Sequence, residues 1–117
     1  RTTFAVLEQQ LDVCGSEGTE CPYMIRIDYL TQDGRDEFWL QGFYAKGDPS
    51  AARLPDYVRS NFKGNHIAKP LGGQQVFESE NLMQQIGNLQ TLRSITLYAE
   101  GHALRTRVDS IELLLQE

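Results

Sequence analysis

The sequence predicts an all-β domain, an antiparallel β-sandwich of jelly-roll type with one short helix near residues 81–86. Three observations carry this. Apolar and polar residues alternate along most of the chain, the period of a half-buried strand, and helical spacing is scarce. Clusters of Gly, Pro, Asn and Asp separate the alternating runs, as turns require. The composition, 117 residues with 40% hydrophobic and 23% charged, is that of one globular domain able to hold its own core.

The first strand reads as Thr3–Val13, with Ala5, Leu7, Leu11 and Val13 on one face and Glu8, Gln10 and Asp12 on the other. Cys14 ends it and Cys21 opens the next strand, so the intervening segment suits a hairpin end. Two cysteines so placed can face each other across an antiparallel pair, and a disulfide between them is expected. It would constrain the unfolded chain by about 2–3 kcal/mol. It would also imply an extracytoplasmic domain, whereas two free thiols would indicate a reducing compartment.

Pro22–Leu30 alternates cleanly, with Tyr23, Ile25, Ile27 and Tyr29 on one face and Met24, Arg26, Asp28 and Leu30 on the other. Asp33-Gly34 then signals a tight hairpin. Glu37–Lys46 follows as an aromatic-rich strand. Residues 47–72 are punctuated by Gly47-Asp48-Pro49, Leu54-Pro55 and Pro70-Leu71-Gly72 and read mostly as loop, with Pro55–Arg59 open between a helical turn and a brief strand. Gln74–Glu80 reads as strand. Asn81 is placed to cap a helical turn in which Leu82 and Ile86 share a face and which Gly87 ends. Leu92–Ala99 and Leu104–Leu115 complete a tally of about six strands. The core expected from these phases is Leu7, Leu11, Ile25, Ile27, Phe38, Leu40, Val76, Ile95, Leu97, Ile111 and Leu113. The chain opens and closes directly on strand patterns, so residues 1–117 are read as a single sandwich domain excised from a longer chain.

The net charge of −5 argues against nucleic acid and against an anionic membrane surface as partner. No apolar run approaches the ~20 residues of a membrane span, so direct membrane insertion is not expected. No nucleophile elbow, zinc-protease helix, P-loop or dinucleotide fingerprint is present. His66 and His102 sit in turn-like contexts, and Glu78 and Glu80 read as a solvated face. The cysteine spacing does not suit zinc. Small jelly rolls often carry a structural calcium, but no dense aspartate run marks a site, so no cofactor and no metal are expected. Nothing here points to an enzyme.

If a ligand site exists, it is expected on a surface built from residues 47–72 with Trp39 or Tyr44 beside it. Tyr57 offers a stacking face there, and Arg59, Asn61 and His66 offer hydrogen-bonding groups. The bland alternative is that the segment folds over the end of the sandwich, with Tyr57 and Phe62 plugging the core.

The runs Val76–Leu82, Leu92-Arg93-Ser94-Ile95-Thr96-Leu97-Tyr98-Ala99-Glu100-Gly101-His102 and Val108-Asp109-Ser110-Ile111-Glu112-Leu113 resemble the closing strands of galactose-binding-domain-like jelly rolls. The stretch from Pro22 to Tyr44 is similar to that superfamily's central hairpin. The resemblance implies a non-catalytic binding module for carbohydrate or another small ligand, often part of a bacterial extracytoplasmic protein. The alternative is a structural or protein-interaction domain of a membrane-anchored or surface protein, without a small ligand. Such jelly rolls usually have about eight strands. Two fewer strands would mean either that the first strands lie outside residues 1–117 or that 47–72 holds further strands; a missing strand would leave an exposed sheet edge, which would permit a homodimer.

Overall fold

The computed structural model describes residues 1–11, 14, 20–47, 66–101 and 103–114. They form seven strands: β1 (Thr2–Gln9), β2 (Tyr23–Thr31), β3 (Asp36–Tyr44), β4 (His66–Ala68), β5 (Gln75–Phe77), β6 (Leu89–Tyr98) and β7 (Leu104–Ile111). One five-residue helix, α1 (Leu82–Ile86), lies between β5 and β6. The strands build a three-stranded sheet of order β5-β1-β7 and a four-stranded sheet of order β4-β3-β2-β6. Every pairing is antiparallel except β3 with β4. The protein is therefore an all-β sandwich. No helix among the described residues is long and apolar enough to cross a membrane.

Local chemistry explains the elements that the sequence placed correctly. The β2–β3 hairpin turns at Gly34, whose φ of +83° strains any residue with a Cβ. The Thr31 hydroxyl hydrogen-bonds to the Asp33 carboxylate, and Arg35 adds an ion pair at 2.9 Å. The Thr31 bond first, and Arg35 after it, hold the Asp33 carboxyl below its usual range. Asn81 caps α1 by accepting the Met83 N–H at 3.0 Å.

The core lies between the sheets. It joins Phe4 and Val6 of β1 to Tyr23, Ile25, Ile27 and Tyr29 of β2, Trp39 and Phe43 of β3, and Leu89 of β6. The Phe4 ring centroid is 4.8 Å from Tyr23 and 4.7 Å from Phe43, and Phe77 of β5 meets Phe43 at 4.9 Å. Two hydroxyls tie the sheets together. Thr2 Oγ1 lies 2.8 Å from the Tyr23 hydroxyl, and Thr106 Oγ1 donates to the Pro22 carbonyl at 2.6 Å.

The phase of β2 is as the sequence predicts, but those of β1 and β3 are shifted by one residue. In β1 the inward side chains are Thr2, Phe4 and Val6, not Leu7 and Leu11. The large Phe4 ring decides the phase, and Thr2 is tolerated inside because its hydroxyl is satisfied by Tyr23 and by the Ser110 carbonyl. In β3 the inner face carries Trp39 and Phe43, while Phe38 and Leu40 face outward and are only half-buried. Burying Trp39 and Phe43 removes more apolar surface than burying Phe38 and Leu40. Buried Gln41 completes that face by donating to the Gly42 carbonyl at 3.1 Å.

Val76, Ile95, Ile111 and Leu113 were also expected in the core and are exposed. Val76 pairs with Thr3, on the side of β1 away from Phe4. Ile95 and Ile111 belong to the edge strands β6 and β7, covered from one side only. Leu113 follows β7 rather than belonging to it. The seventh strand was hidden in residues 47–72: β4 is three residues long and pairs with Gly42–Tyr44. Pro55–Arg59 lies outside the described residues.

Candidate functional site

Of the sequence-expected site residues, Trp39 and Tyr44 lie on opposite faces of β3. Trp39 is 7% exposed and points into the inter-sheet core. Tyr44 points the other way from β3 and is buried against Cys14, Cys21 and Met24. Strand alternation separates them, since an odd and an even position lie on opposite faces. His66 opens β4 opposite Gly42, on the side of Tyr44. Tyr57, Arg59 and Asn61 lie outside the described residues, as does Phe62.

Cys14 and Cys21 are joined in a disulfide, with Cα atoms 4.2 Å apart. The Glu20 N–H donates to the Cys14 carbonyl at 2.9 Å. β1 and β2 lie in different sheets, so the disulfide does not bridge an antiparallel strand pair as the sequence pattern suggests. Both sulfurs and an imidazole nitrogen of His66 lie within 4.8 Å of one another. A disulfide sulfur carries no thiolate charge, so this trio offers a metal only one ordinary ligand.

A different surface comes together on the outer face of the four-stranded sheet. Three rows cross β3, β2 and β6 in register: Gly42–Met24–Tyr98, Leu40–Arg26–Thr96 and Phe38–Asp28–Ser94. The disulfide and Tyr44 close one end of this platform. At its centre Arg26 grips Asp28 through two nitrogens, Nε to Oδ1 at 3.1 Å and Nη2 to Oδ1 at 3.0 Å. The Arg26 guanidinium also lies 4.4 Å from the centre of the Phe38 ring. The Ser94 hydroxyl donates to Asp28 Oδ2 at 3.4 Å. Both charged side chains remain partly open to solvent. Burial first, and the nearby Glu100 carboxylate second, push the Tyr98 hydroxyl above its ordinary value near 10. Tyr98 therefore stays protonated at neutral pH and can donate a hydrogen bond.

Sequence reasoning saw one column of this platform, the alternating face of Met24, Arg26 and Asp28. The neighbouring columns need the register of β2 against β6, which joins residues some 66 positions apart.

A second feature is a small apolar groove of about 50 Å³ between the sheets, lined by Ile25, Ile27, Trp39, Phe77, Ile95 and Ile111, among others. It opens where the edge strands β6 and β7 leave the sandwich uncovered. The Arg1–Glu112 ion pair, 3.1 Å long, lies at its rim.

Comparison with family models, with curated proteins and with solved structures returns no match. The resemblance to galactose-binding-like jelly rolls thus rests on strand order and residue type alone.

Proposed function

We propose that this domain is a non-catalytic binding module whose ligand is a carbohydrate or a similar polyhydroxylated molecule, held on the outer face of the four-stranded sheet. The observation that carries the reading is the Arg26–Asp28 pair set among Phe38, Leu40, Ser94, Thr96 and Tyr98. A guanidinium donates and a carboxylate accepts, so adjacent positions offer both partners that a vicinal diol needs. Tyr98 and Leu40 supply apolar area for the C–H face of a sugar ring, and Ser94 and Thr96 add hydroxyls. Few contacts offset the cost of association on so open a surface, so affinities of about 10 µM to about 1 mM are expected. The disulfide supports an extracytoplasmic setting, where it would persist.

A glycan array, read beside thermal melting, tests this. Arg26→Ala and Tyr98→Ala should each abolish binding while melting still shows a folded protein, with Tyr98→Ala the more destabilised because its ring packs on the Met24 and Tyr44 cluster. Loss of binding in Tyr57→Ala with Tyr98→Ala unaffected would move the ligand to the 47–72 segment. A wild-type protein that binds no glycan overturns the reading. The second reading, a protein-interaction domain, is favoured by the open outer edge of β6.

A further inference from the structure

We infer that two copies of this chain associate through the β6 edges, pairing antiparallel about a two-fold axis at Thr96. The two four-stranded sheets then become one continuous eight-stranded sheet. This inference does not depend on the ligand.

Among the described residues, the four sheet edges differ sharply. The edge strands β4 and β5 are three residues each, too short to template much pairing. β7 carries Arg105, Arg107 and Asp109 within eight residues, the charged dressing that discourages a second strand. β6 runs for ten residues with Arg93 as its only charge, and it pairs with β2 alone. Its inward Ile95 is 40% exposed at the mouth of the groove. A long edge with one charge and an uncovered isoleucine is an unguarded strand.

The chemistry of that edge fits its own copy. β6 bulges against β2 near Arg93 and is regular from Ser94 to Tyr98. The centre of that regular stretch is Thr96. A two-fold axis there sets Thr96 against Thr96, a favourable cross-strand pair on the outer face. It sets Ile95 of each copy against Leu97 of the other, apolar on apolar on the inner face, and covers the exposed isoleucine. It sets Ser94 against Tyr98. Just beyond, Arg93 of each copy comes beside Ala99 and Glu100 of the other, so opposite charges meet twice. The two Arg93 side chains stand six residues apart along the paired strands, about 20 Å, well beyond the ~8 Å screening length at physiological salt. Arg93 is held on the outer face by Asp36 at 3.0 Å, where it leaves the ladder free.

Sedimentation of the wild-type chain from low micromolar to about 1 mM should show a reversible monomer–dimer equilibrium, as for a small interface. Thr96→Lys and Thr96→Glu each face like charge with like charge and should weaken dimerisation at least about tenfold, while their mixture restores it. Thr96→Cys should form a covalent dimer under mild oxidation, because directly opposed Cβ atoms lie about 5 Å apart. Arg105→Cys on the β7 edge should not. Melting at micromolar concentration confirms that each variant is folded. A wild-type chain monomeric throughout, charge variants that dimerise as the wild type does, or equal cross-linking from both edges would each overturn the inference.

Discussion

Gly42 lies directly beneath the sulfur of Cys21. A Cβ on Gly42 would stand 2.5 Å from Cys21 Sγ and 2.9 Å from His66 Cδ2. The β3 backbone is thus the floor on which the disulfide and the imidazole rest, and only a residue without a side chain leaves room for them. Gly42→Ala should destabilise the fold by about 1–3 kcal/mol, the usual cost of overpacking, read from urea unfolding. Removing the ring with His66→Ala should not rescue it, because the sulfur is tethered from both ends of its bridge. Wild-type stability in Gly42→Ala would show that the disulfide can shift aside.

The disulfide itself closes a loop of seven residues in sequence separation. Chain-entropy reasoning puts its contribution at about 2.5 kcal/mol. The mass of the folded protein, alkylated after denaturation without reductant, should show no modified cysteine. Reduction should lower the unfolding free energy by about that amount. Two alkylated cysteines without reductant would remove the bond and, with it, the support for an extracytoplasmic setting.

Tyr23 gives the stability curve an alkaline limb. Burial raises its hydroxyl above the ordinary value of 10.0. Thr2 spends its proton on the Ser110 carbonyl, so Tyr23 is the donor in their shared hydrogen bond and keeps its own proton. Its folded value is the higher one, so its contribution is complete below pH 10 and is lost as pH rises through the folded value. The unfolding free energy should therefore fall above about pH 10. Tyr23→Phe should flatten that limb and cost about 1 kcal/mol at neutral pH for the lost hydrogen bond. Tyr98 is raised in the same direction, so some slope remains until it too is replaced. An unchanged alkaline limb in the double variant would assign the loss to other groups.

The strands that were legible in the sequence are those in which one face is plainly apolar and the other plainly polar. β2 comes nearest that condition: Tyr23, Ile25, Ile27 and Tyr29 mark one face, and Arg26 and Asp28 sit between Met24 and Leu30 on the other, so its phase followed from alternation and its hairpin from Asp33-Gly34. β1 and β3 carry apolar residues on both faces, and pattern alone cannot choose between Phe4 and Leu7 or between Trp39 and Phe38. The larger rings choose, by meeting across the sandwich. β4 has three residues, fewer than two periods, and leaves no pattern to read. Exposure of Ile95 and Ile111 follows from strand order, which alternation does not encode. The candidate site shares this limit. Arg26 and Asp28 were visible on one face, but their neighbours Phe38 and Ser94 come from strands whose register is set only by folding.

Trp39 separates the outer-face reading from a ligand in the groove. It is the only tryptophan in the chain, so intrinsic fluorescence reports on that position alone. It is 7% exposed and lines the groove between the sheets. Its emission should lie at the short wavelengths of a buried indole, resist acrylamide quenching, and move to those of free tryptophan in urea. Trp39→Ala should cost about 3–5 kcal/mol, because a large side chain is lost from a core that can only partly collapse. A sugar seated on Arg26, Asp28 and Tyr98 lies on the opposite side of the sheet, so saturating the protein with it should leave the emission maximum in place. A ligand-induced shift would place the ligand in the groove, against Ile25, Ile27 and Ile95, and would set aside the outer face as its seat. Emission typical of exposed indole, together with an unchanged melting temperature in Trp39→Ala, would return Trp39 to the surface.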